Sequence, residues 1–238
     1  CPLDGHGDSS RSGLVFRKAL IAAGVEVRDH TPVENVSRTD SGFTVHSAAG
    51  TMAAKRIVLA GGAWLGRMAR WLGYPLDVRY KINQLVVTER LPPVVRTVLG
   101  VSNGMLTLKQ AENGTVVMGG GWQGTGDLDQ GGTGIVSDSI AGNLQLGRYV
   151  IPALIGARLV RSWLGMEALM PNYNPVIGPV PGVEGAFIIG AVRGGWEIGP
   201  CLGQLLGELI LGHEPDLPLF DPPTYDDGDT VAVAGYGL

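Results

Sequence analysis

Two stretches set glycines where backbone N–H groups could hold an anion or the polar edge of a cofactor. Ile57-Val58-Leu59-Ala60-Gly61-Gly62-Ala63-Trp64 is a short apolar run that opens into two glycines. Phe187-Ile188-Ile189-Gly190 is a second such run, and Arg193, Gly194, Gly195 and Gly199 follow it. After Pro200 come Leu202, Leu205, Leu206, Leu209 and Ile210 at helical spacing. A strand, a glycine turn and a helix in that order bring N–H groups and a helix N-terminus to one point, a setting for a phosphate or a polar cofactor edge. Tight packing of a strand against a helix accounts for the same glycines without a ligand.

Other chemistries find less support. A literal G-x-G-x-x-G spans Gly119 to Gly124. It is followed by T-G-D-L-D-Q-G-G-T-G, which cannot form an apolar-faced helix, so it reads as a hairpin end entering a loop rather than a dinucleotide fingerprint. No phosphate-loop motif occurs. His6, His30, His46 and His213 are scattered, and Cys1 and Cys201 stand alone, so no metal site is expected. Asp226-Asp227 lies in a tail rich in Pro and Asp. Trp163, Trp196 and Tyr173 are candidate cleft aromatics, with core packing as the alternative.

The bulk numbers frame these readings. The chain has 238 residues, 45% hydrophobic and 17% charged, as a well-buried globular chain would. A net charge of −4 and a pI near 5.5, without a basic patch, argue against nucleic acid. Glycine supplies 38 residues, about twice the usual ~7%, which marks turns and close backbone approaches. No apolar run reaches the roughly 18 residues of a membrane span. The polar start shows no signal peptide, and two cysteines make no disulfide framework, so a cytoplasmic location is expected. Residue 1 is not Met and reads like the middle of a domain.

The elements that must position these glycines follow from periodicity. Asp8-Ser9-Ser10 offers N-cap chemistry for a helix through Ala23, stopped by Gly24. Val25–Arg28, Val33–Ser37 and 42–48 read as strands, and Ala54–Ala60 as a buried one. A helix is expected from Ala63 to Leu72. From Pro75 the pattern changes. A long alternating run covers Val78–Glu89, with further strand-like pieces at 96–101, 104–109 and 115–119. Asn113-Gly114 marks a hairpin. Residues 120–134 read as glycine-rich loop, Ser137–Tyr149 as helix, Pro152–Ala157 as a short helical piece and 158–167 as strand. The fold class is therefore α/β (α+β), with two interleaved parts and a cleft between them. The expected parts are 1–74, 75–167 as a mostly antiparallel domain, and 168–238 as a return to the first part plus a tail.

Five segments, in order, resemble the FAD-dependent amine and amino-acid oxidoreductases, the group of D-amino-acid oxidase and dehydrogenase, glycine oxidase and sarcosine oxidase. G-A-V-R-G-G-W-E-I-G-P-C-L-G-Q-L-L-G-E-L-I (190–210) is similar to their C-terminal flavin motif. R-S-W-L-G-M-E-A-L-M-P-N-Y-N-P-V-I-G-P-V-P-G-V-E-G (161–185) resembles the segment just upstream of it. A-G-V-E-V-R-D-H-T-P-V-E-N-V (23–36) resembles the strand beside the adenine, and R-I-V-L-A-G-G-A-W-L-G (56–66) the "vlAaGaWs" stretch. G-H-G-D-S-S (5–10) resembles the start of the segment leading to the substrate side.

The resemblance implies FAD as cofactor, a 1–74 and 168–238 FAD-binding part, and a substrate domain at 75–167. It implies oxidation of an amine or amino acid, with hydride leaving the carbon next to nitrogen and the imine then hydrolysed. Val33 would contact the adenosine part, and Ala60, Gly61 and Gly62 the phosphate or ribityl path. Gly194, Gly195, Trp196, Glu197 and Ile198 would lie near the ribityl and the ring, with Arg193 holding substrate or ring charge as the catalytic candidate. Tyr80, Asn83, Gln84 and Trp163 would be the substrate side. Two departures stand out. The family's N-terminal β-α-β unit with its G-x-G-x-x-G has no counterpart before residue 5, so the chain reads as a fragment, or a second chain supplies that half. The substrate-carboxylate arginine of the amino-acid oxidases corresponds here to Glu167, so the resemblance implies that either the substrate or its anchor differs, with Arg193 or Arg161 as candidate substitutes. A cofactor-free accessory subunit and a flavin enzyme acting on an opine or hydroxy acid are the alternative readings.

Overall fold

A computed structural model of the chain describes residues 5–192 and 194–224. In chain order the elements are α1 (Ser9–Ala22), β1 (Val33–Thr39), β2 (Gly42–Ser47), β3 (Gly50–Ala54), β4 (Ile57–Leu59), a 3-10 turn at Gly62–Trp64, and α2 (Leu65–Trp71). Then come β5 (Arg79–Arg90), β6 (Leu99–Gly100), β7 (Thr107–Gln110), β8 (Thr115–Gly119), β9 (Thr125–Asp127), β10 (Gly131–Gly134) and α3 (Ser137–Val150). A 3-10 turn at Pro152–Leu154, β11 (Leu159–Leu169), β12 (Val176–Pro179), β13 (Ala186–Gly190) and α4 (Gly195–Ile210) complete the order. The chain divides into two units. One takes the residues up to Glu26 together with Ile82–Met166, and the other takes Val27–Lys81 and the residues from Glu167 on. The first segment, to Glu26, thus groups with the alternating strands rather than with residues 27–74.

The first unit is built on a five-stranded sheet in the order β11-β5-β8-β7-β6. Period-two alternation decides its faces. Ile82, Gln84, Val86 and Thr88 of β5 are buried, while Lys81, Asn83, Leu85, Val87 and Glu89 are half-exposed. Val86 lies opposite Met118, and Met118 opposite Leu108, so one apolar row crosses three strands. With Leu106 and Val116 this row packs against Ile140 and Leu144 of α3. Asn113-Gly114 turns β7 into β8, as its dipeptide predicts, with the Asn113 side chain accepting from the Thr115 amide. Of the expected strand at 96–101 only Leu99–Gly100 pairs. The expected loop at 120–134 contains the β9–β10 hairpin.

α1 begins just after Asp8, within the Asp8-Ser9-Ser10 run that offers its N-cap. The Asp8 carboxylate accepts from the Ser10 and Arg11 amides, both at 3.0 Å. No α1 residue is buried, and Leu14, Val15, Phe16, Leu20 and Ile21 are exposed. The expected strand at Val25–Arg28 is not formed, since no neighbouring strand pairs with it among the described residues.

The second unit holds the glycine junctions. β12, β13 and β4 form one sheet, with β12 antiparallel and β4 parallel to β13. β13 is covered on both faces, which is why it reads as an unbroken apolar run, while Val58 of β4 is exposed. Ile188 and Leu59, both fully buried, face Leu65 and Ala69 in one core. Phe187, Ile189 and Ile177 face Leu202, Leu205 and Leu206 of α4 in another. The expected strand at Ala54–Ala60 splits into β3 and β4 around Lys55-Arg56. The Arg56 guanidinium then donates to the Ile210 carbonyl at 2.9 Å, placing a cation at the end of α4. β1, β2 and β3 form a separate antiparallel meander around Val36 and Phe43.

Candidate functional site

Because β4 and β13 run side by side in the same direction, with Leu59 beside Ile188, their C-terminal ends leave the sheet on one edge. Each end enters a glycine turn and then a helix: Ala60-Gly61-Gly62 into the 3-10 turn and α2, and Gly190 to Gly194 into α4. The edge outside the carboxyl ends of parallel strands is where α/β sheets bind ligands. Gly194 caps α4 in the left-handed region at φ 75°, which glycine alone adopts without strain. A side chain there would also meet Glu197, whose Oε2 lies 2.5 Å from the position of a Cβ. A side chain at Gly61 would have to displace the Met68 thioether.

The two junctions differ in charge. Glu197 puts a carboxylate in the first turn of α4. A phosphate would meet a like charge there, whereas hydroxyls and ring N–H groups could donate to it. No acidic residue stands between Ala60 and Leu65, so that junction suits an anion or a sugar chain. Trp196 is 58% exposed and Ile198 42% exposed, leaving apolar surface beside the α4 start. The helix starts at Gly195 and takes Pro200 into its second turn, rather than starting after the proline. Val33 begins β1 and is exposed, three residues after the Asp29-His30 turn. Arg193 lies outside the described residues.

Of the four expected substrate residues, Trp163 borders an open cavity of the first unit. That cavity, about 850 Å³, lies in the first unit between the half-exposed face of the sheet and the His6–Ser12 segment. Leu85 and Val117 line it from the sheet, and Lys109 of β7 stands at its edge. Gln84 points to the opposite, packed face, is 2% exposed, and bonds both ways to the Val136 backbone. Asn83 shares the face of Leu85, but its Oδ1 accepts from Gln123 Nε2 at 2.8 Å. Tyr80 is half-buried at the start of β5. Asn83 and Gln84 therefore fasten the 120–136 segment and do not line the cavity. Sequence reasoning missed Leu85, Val117 and Lys109. The signal lay in the alternation of β7, where Leu108 turns inward and puts Lys109 on the other face.

Asp8, at the same cavity, is held below its ordinary pKa of 3.8. The Arg11 amide bond is the main cause, helped by the Ser10 amide and the charges of Arg11 and Lys109, and opposed by burial. His46 is occupied by Ser37 at 2.8 Å. Among the described residues no group of three or more His, Cys, Asp or Glu side chains could hold a metal ion, and no helix is long and apolar enough to cross a membrane.

Residues 1–209 match the family "FAD dependent oxidoreductase" (DAO). The chain is 30% identical over 217 residues to a glycine oxidase of Pseudomonas putida, covering 88% of this chain and 56% of that one. It is 31% identical over 209 residues to hydrogen cyanide synthase subunit HcnC of Pseudomonas aeruginosa, covering 86% and 48%. The crystal structure of glycine oxidase from Geobacillus kaustophilus superposes with a TM-score of 0.81 at 22% identity, over 90% of this chain and 57% of that chain. The chain thus spans about half the length of the relatives it matches.

Proposed function

Since the chain belongs to the FAD-dependent oxidoreductase (DAO) family, we propose that it is the ring-side and substrate-side part of an enzyme that oxidises an amino acid or a related amine. The observation that carries this reading is the pairing of β4 with β13, which gathers two strand–glycine–helix junctions on one sheet edge. FAD, the cofactor of the family, supplies the two-electron oxidation of the C–N bond when bound. Ala60, Gly61 and Gly62 would hold its phosphate or ribityl chain with backbone N–H groups. Gly194, Gly195, Trp196, Glu197 and Ile198 would hold the uncharged ribityl and ring edge, in keeping with the Glu197 carboxylate. Val33 would contact the adenosine through its backbone, and Arg193 would carry charge for the substrate or ring. In this reading the unit with Val27–Lys81 is the FAD-binding part, and the five-stranded sheet is the substrate part.

The substrate amine arrives neutral, loses hydride from its α-carbon and a proton from nitrogen, and leaves as an imine that water hydrolyses to a carbonyl compound and an amine. The chain's task is then to orient the α-carbon and exclude water. The pyrophosphate-binding β-α-β unit would come from residues outside this sequence, in the same polypeptide or on a second chain. The exposed apolar side chains of α1 support that need for further cover. In this reading the protein works in the cytoplasm, in keeping with an exposed thiol at Cys201.

A second reading, an accessory subunit without cofactor, draws on the same exposed helix and on the half-length match. Anaerobic addition of amino acids to the purified protein separates the two. Loss of the visible flavin band on addition supports the oxidase. A preparation that stays colourless after FAD is added, with the full polypeptide or its partner present, leaves the accessory role.

A further inference from the structure

We propose that Lys109 is the carboxylate anchor for the substrate, and that the substrate is an amino acid with a large apolar side chain lying on Leu85, Val117 and Trp163. The proposal rests on the amino-acid reading above and names the substrate class for it. The cavity of about 850 Å³ is at the upper end of small-molecule sites, far more than the smallest amino acids fill. Its floor is a strand face: Val117 sits directly opposite Lys109 on one side and Val87 on the other. Trp163, 37% exposed, adds an aromatic wall from β11.

Lys109 follows by working through the positive groups at the rim. The Arg11 guanidinium lies 3.6 Å from Asp8 Oδ2 and 3.9 Å from Glu112 Oε2, so its charge is shared between the two carboxylates of the rim. The start of α1 is closed to an anion as well, because Asp8 Oδ1 accepts from the Ser10 and Arg11 amides. Lys109 Nζ has no ion pair among the described residues and gives one long bond, 3.4 Å, to the Gly7 carbonyl. Two of its three donors remain for a ligand. The neighbouring side chains cannot serve: Leu108 is buried, and Gln110 donates to the 91–92 and 114 carbonyls and accepts from the Val94 and Val95 amides. An ammonium beside an apolar floor holds a carboxylate more strongly than one in open water.

Calorimetric titration of the FAD-bearing protein with hydrocinnamate and with hydrocinnamyl alcohol tests this. The acid is expected to bind at least about tenfold more tightly than the alcohol, the size of one charge-assisted bond. Lys109→Met should remove that preference, Lys109→Arg should restore most of it, and Trp163→Ala should weaken both ligands, with melting temperatures unchanged. Failure of wild type to bind the acid, equal binding of acid and alcohol, or undiminished acid binding in Lys109→Met overturns the proposal. Flavin bleaching by amino acids is read on the same samples. If no amino acid bleaches the flavin while the Lys109 dependence holds, the oxidase reading falls and the carboxylate site stands. If bleaching occurs without that dependence, this proposal falls alone.

Discussion

Gln84 and Val136 hold each other by two hydrogen bonds: Gln84 Nε2 donates to the Val136 carbonyl at 3.0 Å, and the Val136 amide donates to Gln84 Oε1 at 2.8 Å. The pair joins the centre of β5 to the residue that opens α3, and so fixes one end of the glycine-rich segment. Asn83 and Asn143 reinforce it through Gln123 and the Gly119 carbonyl.

Gln84→Leu should therefore strand the Val136 amide in a part-buried setting, while the Val136 carbonyl keeps the Ile140 amide as a donor. The expected cost is about 2 kcal/mol. Thermal unfolding should show the loss, and hydrogen exchange in residues 125–136 should speed up. An unchanged melting temperature would mean that water replaces the clamp.

Asp8 gives a pH dependence whose sign is fixed. Its folded pKa lies below the unfolded value, so its contribution is complete above the ordinary carboxylate range. That contribution is lost as the pH falls through the lowered folded value. Hydrogen exchange of the α1 amides should show protection steady from neutral pH down to the ordinary carboxylate range and falling below it. Asp8→Ala should abolish this dependence and leave α1 several-fold less protected at neutral pH.

Gly194 and Gly207 lie in or at the same helix and should answer oppositely to alanine. Gly194→Ala forces a left-handed residue, at a cost of about 1–2 kcal/mol, displaces the Glu197 carboxylate and should weaken FAD retention. Gly207 has open space around it, so Gly207→Ala should stabilise by about 0.5–1 kcal/mol and leave FAD retention alone. Melting curves with flavin fluorescence check both.

Ile188 and Leu59 form the buried centre of the parallel pair. Ile188→Ala should cost about 2–5 kcal/mol, as large-to-small changes in a packed core do. Denaturant titration should show the midpoint fall with an unchanged slope.

Much of this was legible in the sequence where local signals agree. The β13 and α4 junction combines an apolar run, glycines and a helical stripe, and all three point to one structure. Other elements depended on partners that periodicity does not name. Val25–Arg28 alternates like a strand yet pairs with nothing among the described residues. Residues 120–134 look like loop because of their glycines, but Gly126 pairs with Gly132 in a hairpin where a side chain on Gly126 would run into the Gly131 carbonyl. The glycines are what permits that close pairing. For β5 the alternation was plain, but which face is packed depends on where α3 lies. That choice turned Gln84 inward and left Leu85, with Lys109 from a strand 24 residues on, to border the cavity.

In the proposed reaction a flavin held by this fold takes electrons from an amino acid. Anaerobic mixing of the FAD-bearing protein with apolar amino acids, simple amines and hydroxy acids, followed at the visible flavin band, tests it most directly. The amino acids are expected to bleach the band and the hydroxy acids to leave it intact. Bleaching by hydroxy acids alone, or by none of the compounds, would contradict it.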